Sequence, residues 1–485
     1  MKNNLFLFYL FYFLLISLNI INCAIHTKEE WKSRSIYQLL TDRFASTDDK
    51  IKDCTNLDNY CGGTFKGIIQ HLDYIAGMGF NAIWISPPLK NKPGSYHGYH
   101  NIDLYSINDN FGTAQELKDL IKACHDKDIW VILDAVPNHM AGGLDISTFN
   151  PFNLASHYHT LTDADCNGHW NEQYYKENCR IYGMPDLKQE DSYVNQTLIS
   201  WLDYTVKEYD FDGVRYADVV NIPTWFWSNL TYILKGMYTI GVFDDNRVDY
   251  TASYLSYMDG VADIPLFNQL RTSFCDGSMI DLDNYIKSSR TIFKTPQYNG
   301  VWFDYHDKER FLYECSIATK YKGLRNVIIF TLFSDGIPIF YYGDEQYFDK
   351  GGAGDGRRQT LFRNYDQESD LYQMIKIANE LRRKYKIYDN AFVSKYVDED
   401  NFVFTRGKDI LIAVSKGKNK IIEVDGFNDD DKFCNRLKTL DCISVNKDKI
   451  IINMDGEPKI YVRSSKGHTI YISSLLFILI LLALF

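Results

Sequence analysis

The sequence predicts an α/β fold: a parallel barrel with helices outside, a subdomain inserted after the third strand, and a small antiparallel β domain at the C-terminal end. Three observations carry this. Short apolar runs recur at Ile36–Leu40, Ala82–Ser86, Trp130–Asp134, Gly213–Tyr216, Tyr238–Val242, Gly300–Phe303 and Ile337–Tyr342, and amphipathic stretches such as Ala114–Lys127 and Asn195–Tyr209 lie between many of them. One connection, 139–191, is irregular and rich in Tyr, His, Asn and Cys, which marks a functional subdomain. Beyond Lys386 the pattern changes to short alternating segments, Phe402–Arg406, Ile410–Ser415, Ile421–Val424, Ile450–Met454 and Lys459–Val462.

The expected organisation is therefore a barrel over 24–386, a subdomain at 139–191 within it, and a β domain at 387–463. In such a barrel the site forms where strands end in loops at the C-terminal face. The stretch that organises the chain is Asp212-Gly213-Val214-Arg215-Tyr216-Ala217-Asp218-Val219-Val220-Asn221, a short strand running into a loop.

The two ends read as processing segments. Residues 1–23 begin with Lys2, Asn3 and Asn4, followed by a nearly unbroken apolar run from Leu5 to Ile21. This is the pattern of a secretory signal peptide, with a membrane anchor as the alternative. At 464–485 small residues and a short polar spacer precede the apolar run Ile470–Phe485. That resembles a GPI-attachment signal, with a simple tail anchor as the alternative. Either places the body on the extracellular face of the plasma membrane or in the cell wall, and a monomer is expected there.

The cysteines suit an oxidising compartment. Without Cys23, nine remain, and three local pairs bracket short loops: Cys54–Cys61, Cys166–Cys179 and Cys434–Cys442. None has the C-x-x-C spacing of a zinc site. Cys124, Cys275 and Cys315 are left unassigned. Asn195-Gln196-Thr197 and Asn229-Leu230-Thr231 are N-glycosylation acceptors. Net charge is −11 with no basic block, which argues against nucleic-acid binding.

Several motifs, in order, carry a family resemblance. They are Gly94-Ser95-Tyr96-His97-Gly98-Tyr99-His100 with Asp103-Leu104-Tyr105-Ser106, then Asp134-Ala135-Val136-Pro137-Asn138-His139. Met184-Pro185-Asp186-Leu187, His306-Asp307, and Gly351-Gly352 with Arg358 follow. Over residues 31–463 the chain resembles secreted fungal-type α-amylases of the retaining glycoside hydrolase superfamily. The resemblance implies a complete (β/α)8 TIM barrel with the insertion and β domain already described. It also implies a Ca²⁺ that pins the insertion to the barrel, held by Asn138, Glu177, Asp186 and the backbone carbonyl of Asn221. These are oxygen donors from separate segments, as a hard cation requires. The family has a histidine where Asn221 stands, a change that a backbone ligand tolerates.

The same resemblance exposes a departure. Retaining glycosidases use two carboxyl groups about 5 Å apart, one as nucleophile and one as acid/base. The family's nucleophile is the aspartate of G-x-R-x-D; here Gly213-Val214-Arg215-Tyr216 is followed by Ala217. Its general acid is a glutamate after Ile-Gly; here Ile240-Gly241 is followed by Val242. Asp218 and Asp244 are the neighbouring carboxylates that could substitute. Strand alternation points Asp218 away from the barrel axis unless a bulge re-aims it. The binding half is retained. Tyr99 is expected to stack on a sugar ring, with His97, His139, Arg215, His306 and Arg358 on its hydroxyls. Asp307 keeps the family's transition-state-stabilising position. In the bland reading, Arg215 and Asp307 are only a buried ion pair, and His139 only packs under the insertion.

The sequence thus points to a surface-tethered, Ca²⁺-binding protein that binds α-1,4-glucan or maltooligosaccharides, with hydrolysis lost or very weak. Two alternatives stand beside it: an active α-glucan hydrolase or transglycosidase using Asp218 and Asp244, and a protein-binding scaffold with a vestigial pocket.

Overall fold

The structure, a computed structural model, describes residues 26–50, 54–315, 318, 320–352 and 354–464. The expected signal peptide and the apolar run Ile470–Phe485 lie outside the described residues. Among the described residues no helix is long and apolar enough to cross a membrane. They form two compact units. The first comprises residues up to Asn268, Ser288–Glu314 and Gly336–Tyr372; the second comprises Gln269–Lys287, Cys315–Asp335 and residues from Gln373 onward.

The first unit is a barrel of eight parallel strands: β1 (Ile36–Leu39), β2 (Ala82–Ile85), β3 (Trp130–Ala135), β4 (Gly213–Tyr216), β5 (Tyr238–Gly241), β6 (Gly260–Val261), β7 (Gly300–Val301) and β8 (Ile337–Tyr341). The pairing order is β6-β5-β4-β3-β2-β1-β8-β7, and a single parallel bridge from Ala262 to Gly300 joins its two ends. All seven expected strands are present, with ends shifted by up to two residues. The eighth, β6, has no counterpart among the expected apolar runs. It has two residues and begins with a glycine whose Cβ would lie 2.2 Å from the Tyr298 carbonyl, so close backbone approach excludes a side chain there. The apolar interior is dominated by Trp84, Ile132, Ile240, Ala262, Trp302 and Tyr305. Its indole rings Trp84 and Trp302 stack at 5.8 Å.

The helices begin and end for local reasons. The helix Ala114–His125 opens with a reciprocal capping box between Thr113 and Glu116. The helix Ser192–Tyr209 starts three residues before the expected Asn195, because the Asp191 carboxylate accepts from the Tyr193 and Val194 amides. It buries Val194, Leu198, Trp201, Leu202 and Val206 along one stripe and stops at Asp210, which takes the left-handed conformation. The glycosylation acceptor Asn195 lies in its first turn, its amide donating to the Gln189 carbonyl at 3.4 Å. Asn229 is exposed on the helix Thr224–Ile233.

The insertion is less irregular than its composition implies. It holds three 3₁₀ turns, Ile146–Thr148, Ala155–His157 and Ile181–Gly183, and two short helices, Asp163–Cys166 and Gln173–Asn178. The Cys166–Cys179 disulfide ties those helices together. Antiparallel bridges from His139 to Asp186 and from Tyr158 to Leu187 return its end to its beginning.

The second unit contains an antiparallel sheet. Its strands are β9 (Phe392–Val397), β10 (Asn401–Arg406), β11 (Ile410–Ser415), β12 (Asn419–Val424), β13 (Lys432–Asn435), β14 (Cys442–Ser444), β15 (Ile450–Asp455) and β16 (Lys459–Arg463). They pair as β9-β10-β11-β16-β13-β14, with β12 and β15 as a separate ribbon. Two segments from within the barrel sequence belong to this unit, so it is not delimited by one cut after residue 386. Phe330 on the helix Lys320–Phe333 packs its ring against Phe392, Phe402 and Phe404, and Asn326 accepts from the Ser415 amide at 2.8 Å.

The three local disulfides are formed. A fourth, Cys275–Cys315, closes a separation of 40 residues in the second unit. Cys124 is free and buried.

Candidate active site

The parallel register places Asp134, near the end of β3, directly beside Arg215 of β4. Asp134 is the hub of the barrel mouth. Its Oδ1 accepts from Arg215 Nη1 at 2.7 Å; its Oδ2 accepts from the Tyr99 hydroxyl at 2.5 Å and from Trp84 Nε1 at 2.9 Å. Arg215 therefore pairs with Asp134 and not with Asp307. The Asp134 charge outweighs burial and raises the Arg215 pKa further. Arg215 Nε is buried with no hydrogen-bond partner among the described residues.

Asp307 instead meets Arg358, from the loop after β8, whose Nη2 donates to Oδ1 at 2.9 Å. Arg358 is fixed by donating Nε to the His306 carbonyl at 2.9 Å and Nη1 to the Tyr96 hydroxyl at 3.1 Å. His306 Nε2 lies 3.3 Å from Asp307 Oδ2. With the Gln38 amide donating to Nδ1 at 2.6 Å, the ring proton sits on Nε2, which makes no hydrogen bond among the described residues. Burial works to raise the Asp307 pKa, but His306, Arg358 and Arg215 prevail and hold it far below the usual carboxylate range. Its side chain is 50% exposed, so a charged, accessible acceptor stands in the mouth.

The loop motif at 94–100 delivers two more groups. His97 Nδ1 accepts from the Tyr99 amide at 3.1 Å. Burial and the Arg358 charge push its pKa down, so the ring is neutral with Nε2–H as donor. The Tyr99 ring reaches the mouth, where it stacks on His306 at 5.2 Å and 9° and on His97 at 5.8 Å. His139 does not present its ring to the mouth as a free donor. It is 1% exposed, its Nε2 donates to the Tyr99 carbonyl at 3.1 Å, and burial lowers its pKa to about 4. The packing role is the one the structure shows.

Asp218 contradicts the expected outward orientation. Strand β4 ends at Tyr216, and Asp218 takes the left-handed conformation, φ 52° and ψ 38°, so alternation stops before it. Its Oδ2 lies 3.8 Å from His139 Nδ1. Burial raises its pKa to about 6; Arg215 pulls downward while Asp307 and Asp134 push upward. No bulge is involved. Asp244 behaves differently: it is 58% exposed and accepts from Lys308 Nζ at 2.6 Å. The two positions between strand ends and loops carry no polar group. Ala217 is 2% exposed and Val242 is 5% exposed, each fixed by an amide donated to the neighbouring strand, to the Ala135 and Tyr216 carbonyls.

The four expected cation ligands lie where the insertion meets β3 and the loop after β4. Asn138 Oδ1 and Asp186 Oδ1 are buried with no hydrogen-bond partner among the described residues. The Asp186 carboxyl is pushed up to about 7, burial prevailing over His159. Burial also raises the Glu177 pKa. The Asn221 side chain donates to the Lys176 carbonyl at 2.8 Å, which leaves its own carbonyl for another partner. Two orphaned buried oxygens fit a hard cation. His159 belongs to none of the motifs. It bridges Asp186 at 2.7 Å and Glu190 at 3.0 Å, and its pKa is raised to about 9, these carboxylates overcoming burial. Its only sequence signal is the pair His157 and His159 in a polar insertion.

The comparisons with known proteins agree with this architecture. The family described as "Alpha amylase, catalytic domain" matches residues 38–226. The α-amylase of Saccharomycopsis fibuligera is 31% identical over 462 residues, covering 90% of this chain and 92% of that protein. Alpha-amylase 2 of Schwanniomyces occidentalis is 34% identical over 413 residues, covering 81% and 80%. Among solved structures, an α-amylase from Malbranchea cinnamomea superposes with a TM-score of 0.83 at 28% identity, covering 90% of this chain and 97% of that one. The α-amylase of Geobacillus thermoleovorans, solved with acarbose, gives 0.81 at 28% identity, covering 90% and 99%. A barrel mouth built on Asp134, Arg215, Asp307 and Arg358, together with this similarity along nine-tenths of the chain, makes the protein a member of the α-amylase family of glycoside hydrolases.

Proposed function

We propose that this member binds α-1,4-glucan at the barrel mouth and has lost hydrolysis, or retains very little. The observation that carries the reading is the contrast at the mouth. Hydroxyl-binding groups are in place: His97 Nε2–H, the Asp307 carboxylate and the partly exposed Tyr99 ring. Ala217 and Val242, where the resemblance expects nucleophile and acid, can neither form a glycosyl ester nor protonate a leaving oxygen. The unpartnered Arg215 Nε agrees with this. Residue 217 follows the end of β4, and its methyl group offers that N–H no acceptor.

Around this pocket, Asn138, Glu177, Asp186 and the Asn221 carbonyl hold Ca²⁺, which supplies charge to the insertion and locks it to the barrel. Asn195 and Asn229 carry glycans. The chain enters the secretory pathway and is tethered as a monomer at the cell surface through a C-terminal GPI anchor.

The test puts the purified protein, with Ca²⁺, on maltoheptaose and follows heat of binding and release of reducing ends together. Binding without release is the expected result; sustained release would overturn the loss of hydrolysis. A second reading, residual turnover by Asp218 with Asp244, is favoured by the inward turn of Asp218. It requires Asp218→Asn to abolish whatever release is seen.

A further inference from the structure

The helix Thr224–Ile233 has two faces. Phe226, Trp227 and Leu230 are buried. Trp227 fixes the rotation of the helix: its Nε1 donates to the Val219 carbonyl at 3.0 Å, and its ring packs on Tyr216 at 4.8 Å. On one flank the Thr231 hydroxyl donates to the Tyr257 carbonyl. The opposite face is turned to solvent, yet it is largely apolar. Trp225 is 40% exposed, Ile233 46% and Tyr232 78%. At i, i+8 and i+7 they share one side of the helix. Large apolar side chains grouped in water gain little for folding, and such a patch marks a surface that something covers.

The acceptor Asn229 stands in the middle of this patch. It is exposed, one turn after Trp225 and one turn before Ile233. Helical side chains lean toward the N-terminus and cover the turn before their own Cα. Asn229 therefore aims its amide at Trp225, with about 5–6 Å between the two Cβ atoms, and Tyr232 and Ile233 lean back over Asn229. A sugar on Asn229 Nδ2 leaves the helix directly above the indole, with the other two side chains behind it.

We infer that Trp225, Tyr232 and Ile233 form the bed on which the first sugars of an N-linked glycan at Asn229 pack, and that this glycan covers the face and stabilises the helix. In forming the bond, Asn229 Nδ2 loses a proton and joins C1 of N-acetylglucosamine, while the lipid-linked diphosphate of the donor leaves. N-acetylglucosamine carries its substituents equatorially, so its ring presents C–H groups to an aromatic face, and its acetyl methyl suits Ile233. A glycan tethered at the centre of the patch is held at high effective concentration, an advantage no free partner has. The inference deepens the reading above that Asn229 carries a glycan, and rests on it.

The test is a melting-temperature cycle on the full chain exported from a eukaryotic host: parent, Asn229→Gln, Trp225→Ser and the double variant. Peptide mass analysis after enzymatic glycan release, which leaves aspartate at each occupied asparagine, reads residue 229 directly, and the parent should be occupied there. Asn229→Gln should lower the melting temperature by about 1–3 °C when Trp225 is present, and by less than about half that in the Trp225→Ser background. Should Asn229→Gln fail to be exported, enzymatic release from the folded parent and from folded Trp225→Ser gives the same comparison, with Asn195→Gln in both chains so that residue 229 alone carries glycan. An exported parent bare at residue 229 would overturn the glycan reading and this inference together. Occupancy with equal shifts in both backgrounds would overturn this inference alone. So would a parent dimer that Trp225→Ser dissociates, since the face would then belong to a second copy.

Discussion

His139 Nδ1 faces Asp218 Oδ2 at 3.8 Å. Asp218, the residue after Ala217, thus lies in the barrel mouth, within electrostatic reach of Arg215, Asp307 and Asp134. This position gives it a measurable signature. Burial, with those carboxylates, raises its pKa to about 6, against an ordinary value near 3.9. Between these values the folded protein binds more protons than the unfolded chain, so stability from this group is complete below about 3.9 and is lost as pH rises through about 6. The amide introduced by Asp218→Asn is neutral throughout. That substitution should therefore raise the melting temperature at pH 7.5 and leave it nearly unchanged at pH 4. Because the side chain is 37% exposed, solvent screening limits the gain to the order of 1 kcal/mol. An equal effect at both pH values would contradict the assignment.

The proposed loss of hydrolysis, if it lies only in two missing carboxyl groups, should be reversible. Both positions sit at strand ends that are otherwise intact. Ala217→Asp would supply a nucleophile at the end of β4, and Val242→Glu an acid at the end of the next strand. The double variant should release reducing ends from maltoheptaose at least about a hundred-fold faster than the parent, while each single variant gains far less, since the two groups act as a unit. Mass analysis after reaction with a glycosyl fluoride should find sugar attached at residue 217 in variants that carry the Ala217→Asp substitution, and nowhere in the parent.

The barrel was legible because its strands are short apolar runs separated by amphipathic helices, a pattern that burial on both faces imposes. What failed to show were elements with no such surface. Strand β6 is Gly260–Val261, where backbone approach replaces side-chain packing. Strands β13 and β14 are short and polar, and β9 mixes Ser394 and Lys395 into an edge. At the site, His97, Tyr99, Arg215, His306, Asp307 and Arg358 belong to motifs and do converge. The orientation of Asp218 departs from strand alternation because the strand ends two residues earlier, and a left-handed residue cancels the pattern. The pairing of Arg215 with Asp134 depends on register between strands far apart in the chain, which no local pattern encodes.

The Cys275–Cys315 bond could not be assigned from spacing, since 40 residues separate its ends. That length makes it the bond with the largest expected effect. Closing such a loop limits the unfolded chain by about 4 kcal/mol in the chain-entropy account. Replacing both residues by alanine should lower the denaturation midpoint of the second unit well beyond the effect of removing Cys434–Cys442, whose ends are 8 residues apart. Equal losses from the two replacements would show that loop closure is not what this bond contributes.

The cation reading can be tested without any activity. Asn138 Oδ1 and Asp186 Oδ1 are buried without partners among the described residues, and an oxygen left so costs about 1–3 kcal/mol unless something satisfies it. Ca²⁺ that binds only the folded state adds RT ln(1 + [L]/Kd), about 2.7 kcal/mol at a hundred-fold excess over Kd. Chelation should therefore lower the melting temperature by several degrees, and added Ca²⁺, with Mg²⁺ much less effective, should restore it. The gain should shrink as pH falls below about 7, because the Asp186 carboxyl takes up a proton near there and a protonated ligand competes with the metal. Asp186→Asn should remove the response to chelator at every pH. If the parent melts identically with and without chelator, the two oxygens are satisfied by something other than a metal, and the insertion is held by His159 and the Cys166–Cys179 bond.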